Sequence, residues 1–379
     1  MPQGNRAPTN GKEIRSLSEQ ERRRSVNYSS QYPIRSWGNN GRIQENQLTD
    51  SPMFPRSPCR EGTDETALAN RTAVREFLLL GFSEVRELQL VHAALFLLVY
   101  LAALTGNLLI VNVTALDRRL HTPMYCFLRN LSILDLCLIS VTVPNSVINS
   151  LTNNRSISFV GCVLQMFFFM FLASAELAFL TAMSYDRYVA ICFPLRYEII
   201  MSRGACGKMS AASWLCGGLS GLMHTAATFS APFCGSNAIR QFFCDVPQLL
   251  ALSDPSGIVR ELGVTGFILG LCFFCSFSIV VSYAHIFSAV LKIRSVRGGP
   301  RVFSTCLPHL SVVSVFLLTG AVAFLNPRSN SSPFLELLLS MFYSVVPPAL
   351  NPVIYSLRNR DLKTTLGDIL GGLLFNCCS

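Results

Sequence analysis

Two acidic residues, Asp135 and Glu176, lie within long stretches of sequence that carry no other charge. A carboxyl group in such surroundings is costly to bury and therefore indicates a function. The amides of Asn107 and Asn351 lie in two further apolar stretches. Two inward-facing carboxyl groups near amides could bind a cation or share a proton, with coupled titration if they are close. A neutral polar cluster that only holds helices together is the alternative.

A second group of polar residues directly follows one of the apolar stretches. It consists of Asp186, Arg187 and Tyr188. A guanidinium at that depth must be paired or hydrated, and an exchange of its partner would give a two-state switch. An arginine that only extends to the membrane surface is the alternative.

Pro352 predicts a flexible kink in another stretch, because proline removes a helix hydrogen bond. A purely structural kink is the competing interpretation.

Seven apolar stretches have to position these residues. About 20 apolar helical residues cross a hydrocarbon core roughly 30 Å thick. The apolar residues run continuously instead of alternating, which favours helices over a β-barrel. The chain is 50% apolar and 14% charged, against about 25% charged in soluble proteins. The sequence predicts an all-α bundle of seven transmembrane helices in a lipid bilayer. The stretches comprise residues 88–116, 130–154, 156–185, 209–239, 262–291, 302–327 and 337–357.

The sequence predicts that Asp135 and Glu176 are the only two carboxylates within the helical core. Lys and Arg are concentrated in alternate connections, such as those containing Arg118, Arg196 and Lys292. The positive-inside rule places these connections and the C-terminus in the cytoplasm, and the N-terminus outside.

Several motifs, in order and with matching spacing from about residue 69 onwards, resemble those of the olfactory receptors, a branch of the rhodopsin-like G-protein-coupled receptors. The motifs are Leu120-His-Thr-Pro-Met-Tyr125, Met183-Ser-Tyr-Asp-Arg-Tyr-Val-Ala-Ile-Cys192, Ser282-Tyr283, Lys292-Ile-Arg-Ser295, Phe303-Ser-Thr-Cys306 with His309, and Pro348-Ala-Leu-Asn-Pro-Val-Ile-Tyr-Ser-Leu-Arg-Asn359. The resemblance implies a multi-pass plasma-membrane protein that binds a small odorant and activates a heterotrimeric G protein of the stimulatory type, raising cyclic AMP.

The resemblance also implies roles for individual residues. Asp135 and Glu176 correspond to a sodium pocket that favours the resting state, and no other cofactor is expected. Arg187 would be restrained by Asp186 at rest and meet the G protein when active. The other switch residues of this resemblance are Tyr188, Tyr283, Asn351, Pro352 and Tyr355. Cys162 and Cys244 correspond to the disulfide of the superfamily.

The chain departs from the family pattern in three places. Cys234 has no partner cysteine near Leu252, so we expect it to be unpaired. The run that begins at Gly298 lacks a lysine–alanine pair that is common in the family, and Leu317 stands where many members have a tyrosine. We expect the unpaired Cys234 to affect the rigidity of its loop and the altered run at Gly298 to affect G-protein contact. Leu317 removes a polar group from the floor of the ligand pocket.

The ligand pocket is predicted by counting two to four turns inward from the membrane faces. The ten positions are mostly apolar and carry no formal charge, so burying a charged ligand there would be costly. We therefore expect neutral, largely apolar ligands. Packing of helix against helix is the alternative for each position. The positions are Phe169, Met170, Ala173, Ser174, Phe267, Leu271, Gly320, Phe324, Met341 and Ser344.

The chain divides into three regions. The polar composition of residues 1–75 predicts a disordered extracellular tail. The alternative is that most of this segment is an upstream extension of the reading frame, with Met53 as an internal start, and whether residues 1–66 are translated stays open. Asn70 heads the favoured glycosylation sequon. Residues 76–358 form the seven-helix receptor domain. Residues 359–379 form a short cytoplasmic tail, for which the leucine spacing favours a helix on the membrane surface.

Two other classes of protein fit less well. The five histidines are scattered without metal-ligand spacing, and there is no phosphate loop or nucleophile motif, which disfavours an enzyme. No nucleic-acid partner is expected. A transporter could use Asp135 and Glu176 to relay protons. Transporters are usually built from two related halves, and no such repeat is visible here.

Overall fold

The computed structural model describes residues 76–79, 86–152, 155–231, 233, 237–239, 241–253, 255–292, 298–325 and 333–358. Within these ranges, the side chains at 255–257, 298–304, 323–325, 333–334, 336–337 and 357–358 are not described. The two predicted tails, Asn70 and Cys234 lie outside the described residues, as does the side chain of Phe324.

Seven long helices form the described bundle, as the apolar stretches predicted. They are α1 (Arg86–Leu116), α2 (Pro123–Thr152), α3 (Phe159–Cys192), α4 (Arg203–Phe229), α5 (Pro255–Lys292), α6 (Gly298–Leu325) and α7 (Pro333–Arg358). Two 3-10 turns (Arg118–Leu120, Pro194–Arg196) and two short helices (Tyr197–Ile200, Val246–Ala251) lie in the connections. Among the described residues, six helices are long and apolar enough to cross a membrane. The exception is α4, which is rich in glycine and serine.

The predicted spans and the helices differ at several boundaries, and two of these differences have a clear physical reason. The fourth helix ends at Phe229 instead of continuing to residue 239. Pro232 lies three residues beyond this end, and a proline lacks the backbone N–H needed to continue a helix. The third helix begins at Phe159 instead of residue 156, because the Ser158 hydroxyl accepts a hydrogen bond from the Gly161 N–H and caps the helix.

Helix α3 is central to the bundle and packs against α2, α4, α5 and α6, while α1 and α7 pack together and against α2. The contact between α3 and α4 is closest at Gly217 and Gly221. A Cβ atom added at Gly217 would lie 2.5 Å from the Phe171 carbonyl oxygen, and one at Gly221 would lie 2.8 Å from the Phe167 carbonyl oxygen. The absence of a side chain at both glycines therefore permits this spacing.

A small sheet covers one end of the bundle, which we call the sheet end. Its strands are β1 (Glu76–Leu79), β2 (Ser156–Ser158) and β3 (Ala238–Ile239), in the order β2-β1-β3. Strand β1 runs antiparallel to β2 and parallel to β3. The fully buried Phe77 ring packs edge-on against Phe233. The sheet thus ties the segment that precedes α1 to the loops that follow α2 and α4. We call the opposite end, where Arg187 lies, the arginine end.

Candidate functional site

The two carboxylates predicted from sequence meet in the interior of the bundle. The Asn351 amide nitrogen of α7 lies 3.2 and 3.1 Å from the two carboxylate oxygens of Asp135 on α2, and 3.2 Å from Glu176 Oε1 on α3. All three side chains are at most 2% exposed. Glu176 Oε2 and Asn351 Oδ1 are buried without a hydrogen-bond partner among the described residues. The site therefore holds more acceptor oxygens than donors.

Such an arrangement calls for a proton or a cation. Two carboxylates that share one amide donor repel each other if both are ionised and nothing neutralises them. Carboxylate and amide oxygens are hard ligands that suit a hard cation. The two carboxylates therefore fit the expected sodium ion, and Asp135 and Glu176 are the groups that would hold it.

Pro352, at which the sequence predicts a kink in α7, lies next to Asn351 of this polar site. Pro352 has no N–H to donate to the Pro348 carbonyl oxygen, and the Asn107 amide of α1 donates to that oxygen at 2.9 Å instead. A Cβ atom added at Gly106 would lie 2.9 Å from Pro352 Cβ. Helix α1 thus supports α7 at the point where the helix ladder is interrupted.

At the arginine end, Asp186 binds two partners. Arg187 donates to Asp186 Oδ2 through Nε at 3.0 Å and through a second guanidinium nitrogen. Tyr197, in the short helix that follows α3, donates its hydroxyl to Asp186 Oδ1 at 2.7 Å. Burial and the neighbouring carboxylate raise the pKa of the Tyr197 hydroxyl, so it keeps its proton. Tyr197 was missed from the sequence because no spacing rule connects it to Asp186.

A histidine links three helices near the same end. The His309 Nε2 of α6 lies 3.0 Å from the Leu180 carbonyl oxygen of α3. A carbonyl only accepts, so Nε2 carries the proton and Nδ1 accepts from the Tyr283 hydroxyl of α5 at 2.8 Å. Tyr355 of α7 has a buried hydroxyl with no hydrogen-bond partner among the described residues. Tyr188 is half-buried, and its ring centroid lies 5.6 Å from that of His285.

At the sheet end, the loop 241–245 is buried over the bundle. Cys244 is bonded to Cys162, which is the expected pair, and its N–H donates to the Gln165 side chain at 2.9 Å. The Tyr343 hydroxyl donates to Asp245 at 2.5 Å. The Phe243 ring lies 5.1 Å from the Phe169 ring, measured between centroids. The loop therefore packs on the sheet end of the bundle, against Phe169 of the predicted ligand positions.

The structure brings only some of the ten predicted ligand positions together in the interior. Phe169 and Ser344 are buried, and Met170, Ala173 and Met341 are half-buried. The Ser174 hydroxyl lies 2.7 Å from that of Ser220, so Ser174 points toward α4.

Three of the other predicted positions lie on the outer surface. Phe267 is 55% exposed, Leu271 is 37% exposed, and Gly320 is exposed. A separate groove of about 350 Å³ lies between α3, α4 and α5 toward the arginine end, and none of the ten positions lines it.

The statement that the spans contain only two carboxylates was wrong. Glu261 belongs to α5 and is fully buried, and Asp186 belongs to α3 and is also fully buried. The predicted fifth span began one residue after Glu261, and the predicted third span ended one residue before Asp186, because each span was cut at the first charge. The His224 Nδ1 of α4 lies 2.5 Å from Glu261 Oε1.

Comparisons with known proteins place this geometry in context. A family model described as "Olfactory receptor" matches residues 96–371. Human olfactory receptor 14L1 is 57% identical over 308 residues, which cover 81% of this chain and 95% of that protein. Human olfactory receptor 14J1 is 55% identical over 303 residues, covering 80% and 94%. The crystal structure of squid rhodopsin is similar in fold, with a TM-score of 0.59 and 19% identity, and the match covers 78% of this chain and 88% of that one.

Proposed function

Because the chain belongs to the olfactory receptor family, and is therefore an odorant receptor that signals through a G protein, we propose that its ligands are small, neutral and mostly apolar. We further propose a stimulatory, olfactory-type G protein and cyclic AMP as the output. The chain is a multi-pass plasma-membrane protein and not an enzyme. In the proposed orientation, the sheet end faces outward and the arginine end faces the cytoplasm, as the basic connections favour.

The composition of the interior beneath the loop 241–245 supports the proposed ligand class. Phe169, Met170, Ala173 and Met341 carry no charge, and the Ser344 hydroxyl already donates to the Ser340 carbonyl oxygen at 2.7 Å. Burying a charged ligand among these groups would leave its charge without a partner. A neutral odorant would instead be held by apolar burial, at about 25 cal/mol per Å² of apolar surface removed from water.

The single observation that carries the proposed mechanism is the double restraint on Asp186. Its carboxylate holds Arg187 and Tyr197 at once, so the guanidinium is turned toward its own helix. In the active state, Arg187 would leave Asp186 and contact the G protein. The hydrogen bonds of His309 would break at the same time. His309 belongs to α6 and binds Leu180 of α3 and Tyr283 of α5, so α6 cannot move away from α3 while these bonds persist.

Odorant binding needs only a difference in affinity between the two states. A preference of about 1.4 kcal/mol for the active state shifts the equilibrium tenfold. The polar site of Asp135, Glu176 and Asn351 joins α2, α3 and α7, so any change at that site biases the same equilibrium. A sodium ion would offset the charge of one of the two carboxylates there, with a proton on the other, and favour the resting arrangement.

The ligand class is tested by a cyclic-AMP screen of the full chain against neutral odorants, amines and carboxylic acids of similar size. A version that starts at Met53 is screened in parallel. We expect responses confined to neutral apolar compounds, and changed selectivity in Ala173→Leu at normal surface expression. Agonists dominated by charged amines or amino acids would contradict the proposed ligand class. Accumulation of ligand in cells without cyclic AMP would favour the transporter alternative.

A further inference from the structure

The half of α5 nearest the sheet end is held by a single buried side chain. Among the described side chains from Ile258 to Ser278, only Glu261 is buried. The other half of the helix is different, since Ile279, Tyr283 and Ile286 are all buried there. The position of α5 near the sheet end therefore depends unusually strongly on the contacts of Glu261.

Three donors on two helices converge on the Glu261 carboxylate. The His224 Nδ1 and the Thr228 hydroxyl, both on α4, lie 2.5 and 3.2 Å from it, and the Thr265 hydroxyl of α5 itself lies 3.4 Å away. The His224 side chain is 8% exposed and that of Glu261 is fully buried. Each partner presents a hydrogen to the carboxylate, so its charge is satisfied away from water. Removal of one partner leaves a buried polar group without compensation.

The anchor lies on the inward face of α5. Ile279 follows Glu261 by 18 residues, which is about five full turns at roughly 3.6 residues per turn, so the two side chains share one face. Phe267 and Leu271 lie roughly 120° and 80° away from that face at about 100° per residue, and both are exposed. A rotation of α5 about its axis would bring them toward the interior and carry Glu261 away from α4.

We propose that Glu261, held by His224 and Thr228, is a positioning residue that fixes the rotation of the outer half of α5 and thereby selects which α5 side chains face the odorant. The part concerning odorants rests on the proposed function. The positional part concerns the receptor alone. With the anchor intact, Phe267 and Leu271 stay outside, and the half-buried Ile268 and Cys272 face inward on the face of Glu261.

A distance measurement tests the positional part without any odorant. Labels are introduced as noncanonical amino acids at the exposed Leu222 of α4 and Val259 of α5, and the purified full chain is examined in nanodiscs by pulsed electron paramagnetic resonance. We expect one narrow distance distribution in the parent receptor. Glu261→Gln should broaden or shift it, because the amide cannot replace the charged acceptor of three donors.

Matched controls separate a local anchor from general destabilisation. Glu87→Gln makes the same chemical change at an exposed glutamate and should leave the distribution unchanged. Thr228→Val should shift it, whereas Thr225→Val should not, because among the described residues the Thr225 hydroxyl donates to the Gly221 carbonyl oxygen of its own helix α4. A second label pair at Leu98 and Ile148, on α1 and α2, should be unaffected throughout. An unchanged α4–α5 distance in Glu261→Gln, or an equal change in the α1–α2 pair, would overturn the proposal.

The selectivity part is tested with a double substitution. The double variant His224→Leu, Glu261→Leu replaces the buried pair by apolar groups, which often preserves stability. We expect normal surface expression but a changed order of potency among the odorants of the cyclic-AMP screen, with about tenfold changes between individual odorants. An order of potency identical to that of the parent receptor would overturn the selectivity part of the proposal. A parent receptor that responds to no odorant would instead contradict the proposed function, and the label distances would still decide whether Glu261 is the anchor.

Discussion

Substitution of Gly217 by alanine should destabilise the bundle, although alanine is normally the better helix residue. The added Cβ would lie 2.5 Å from the Phe171 carbonyl oxygen and 2.7 Å from Ala175 Cβ. An ordinary contact begins at 3.4 Å, so α3 and α4 have to separate by about 0.9 Å, the difference between these two distances. The obstruction is backbone, which cannot rotate aside as a flexible side chain could.

The size of the effect follows from two costs and one opposing gain. Overpacking of this kind costs about 1–3 kcal/mol, and the separation also strains the hydrogen bond of Ser174 with Ser220, which contributes about 0.5–1.5 kcal/mol. The helix preference of alanine over glycine returns about 1 kcal/mol. We expect a net loss of about 0.5–3.5 kcal/mol, obtained by subtracting the gain from the sum of the two costs.

The neighbouring Gly218 supplies the matched control, because a Cβ there meets nothing within 4 Å. Gly218→Ala should therefore be neutral or stabilising. Thermal unfolding of the purified receptor, followed in detergent with both variants in parallel, measures the difference. Equal or higher stability of Gly217→Ala relative to Gly218→Ala would show that the contact between α3 and α4 is not as close as described.

Three further perturbations follow from the same contacts. Cys162→Ser and Cys244→Ser should each reduce surface delivery, measured by antibody labelling of intact cells, and a double variant that is worse than either single would contradict their pairing. Tyr197→Phe removes one of the two partners of Asp186 and should raise ligand-independent cyclic AMP severalfold; unchanged basal signalling would show that Tyr197 does not restrain the switch. Glu176→Gln should abolish any effect of sodium on agonist potency, compared in sodium and choline buffers, and a persistent sodium effect would exclude this site.

The bundle could be predicted from the sequence because membrane burial acts on whole segments. Uninterrupted apolar runs give the number and type of the helices without knowledge of their packing. The meeting of Asp135, Glu176 and Asn351 was predictable for a related reason, since polar side chains within such runs are driven toward one another. These inferences needed only composition and order along the chain.

Rotation and distant contacts could not be predicted in this way. Counting residues from a motif gives the depth of Phe267 and Leu271 but not the direction in which they point, and both lie on the exposed flank of α5. Tyr197 reaches Asp186 only because the chain turns back after α3. Glu261 was excluded because a charge was read as the end of a span, whereas donors on α4 satisfy it inside the bundle.

The most direct test of the proposed switch is the cyclic-AMP response of Arg187→Ala to an odorant that activates the parent receptor, at matched surface expression. Arg187 binds Asp186 in the structure and is proposed to bind the G protein after release. We predict that the variant reaches the surface and binds the odorant but produces no cyclic AMP. A normal response at normal surface density would contradict the role of Arg187 in coupling and, with it, the proposed mechanism.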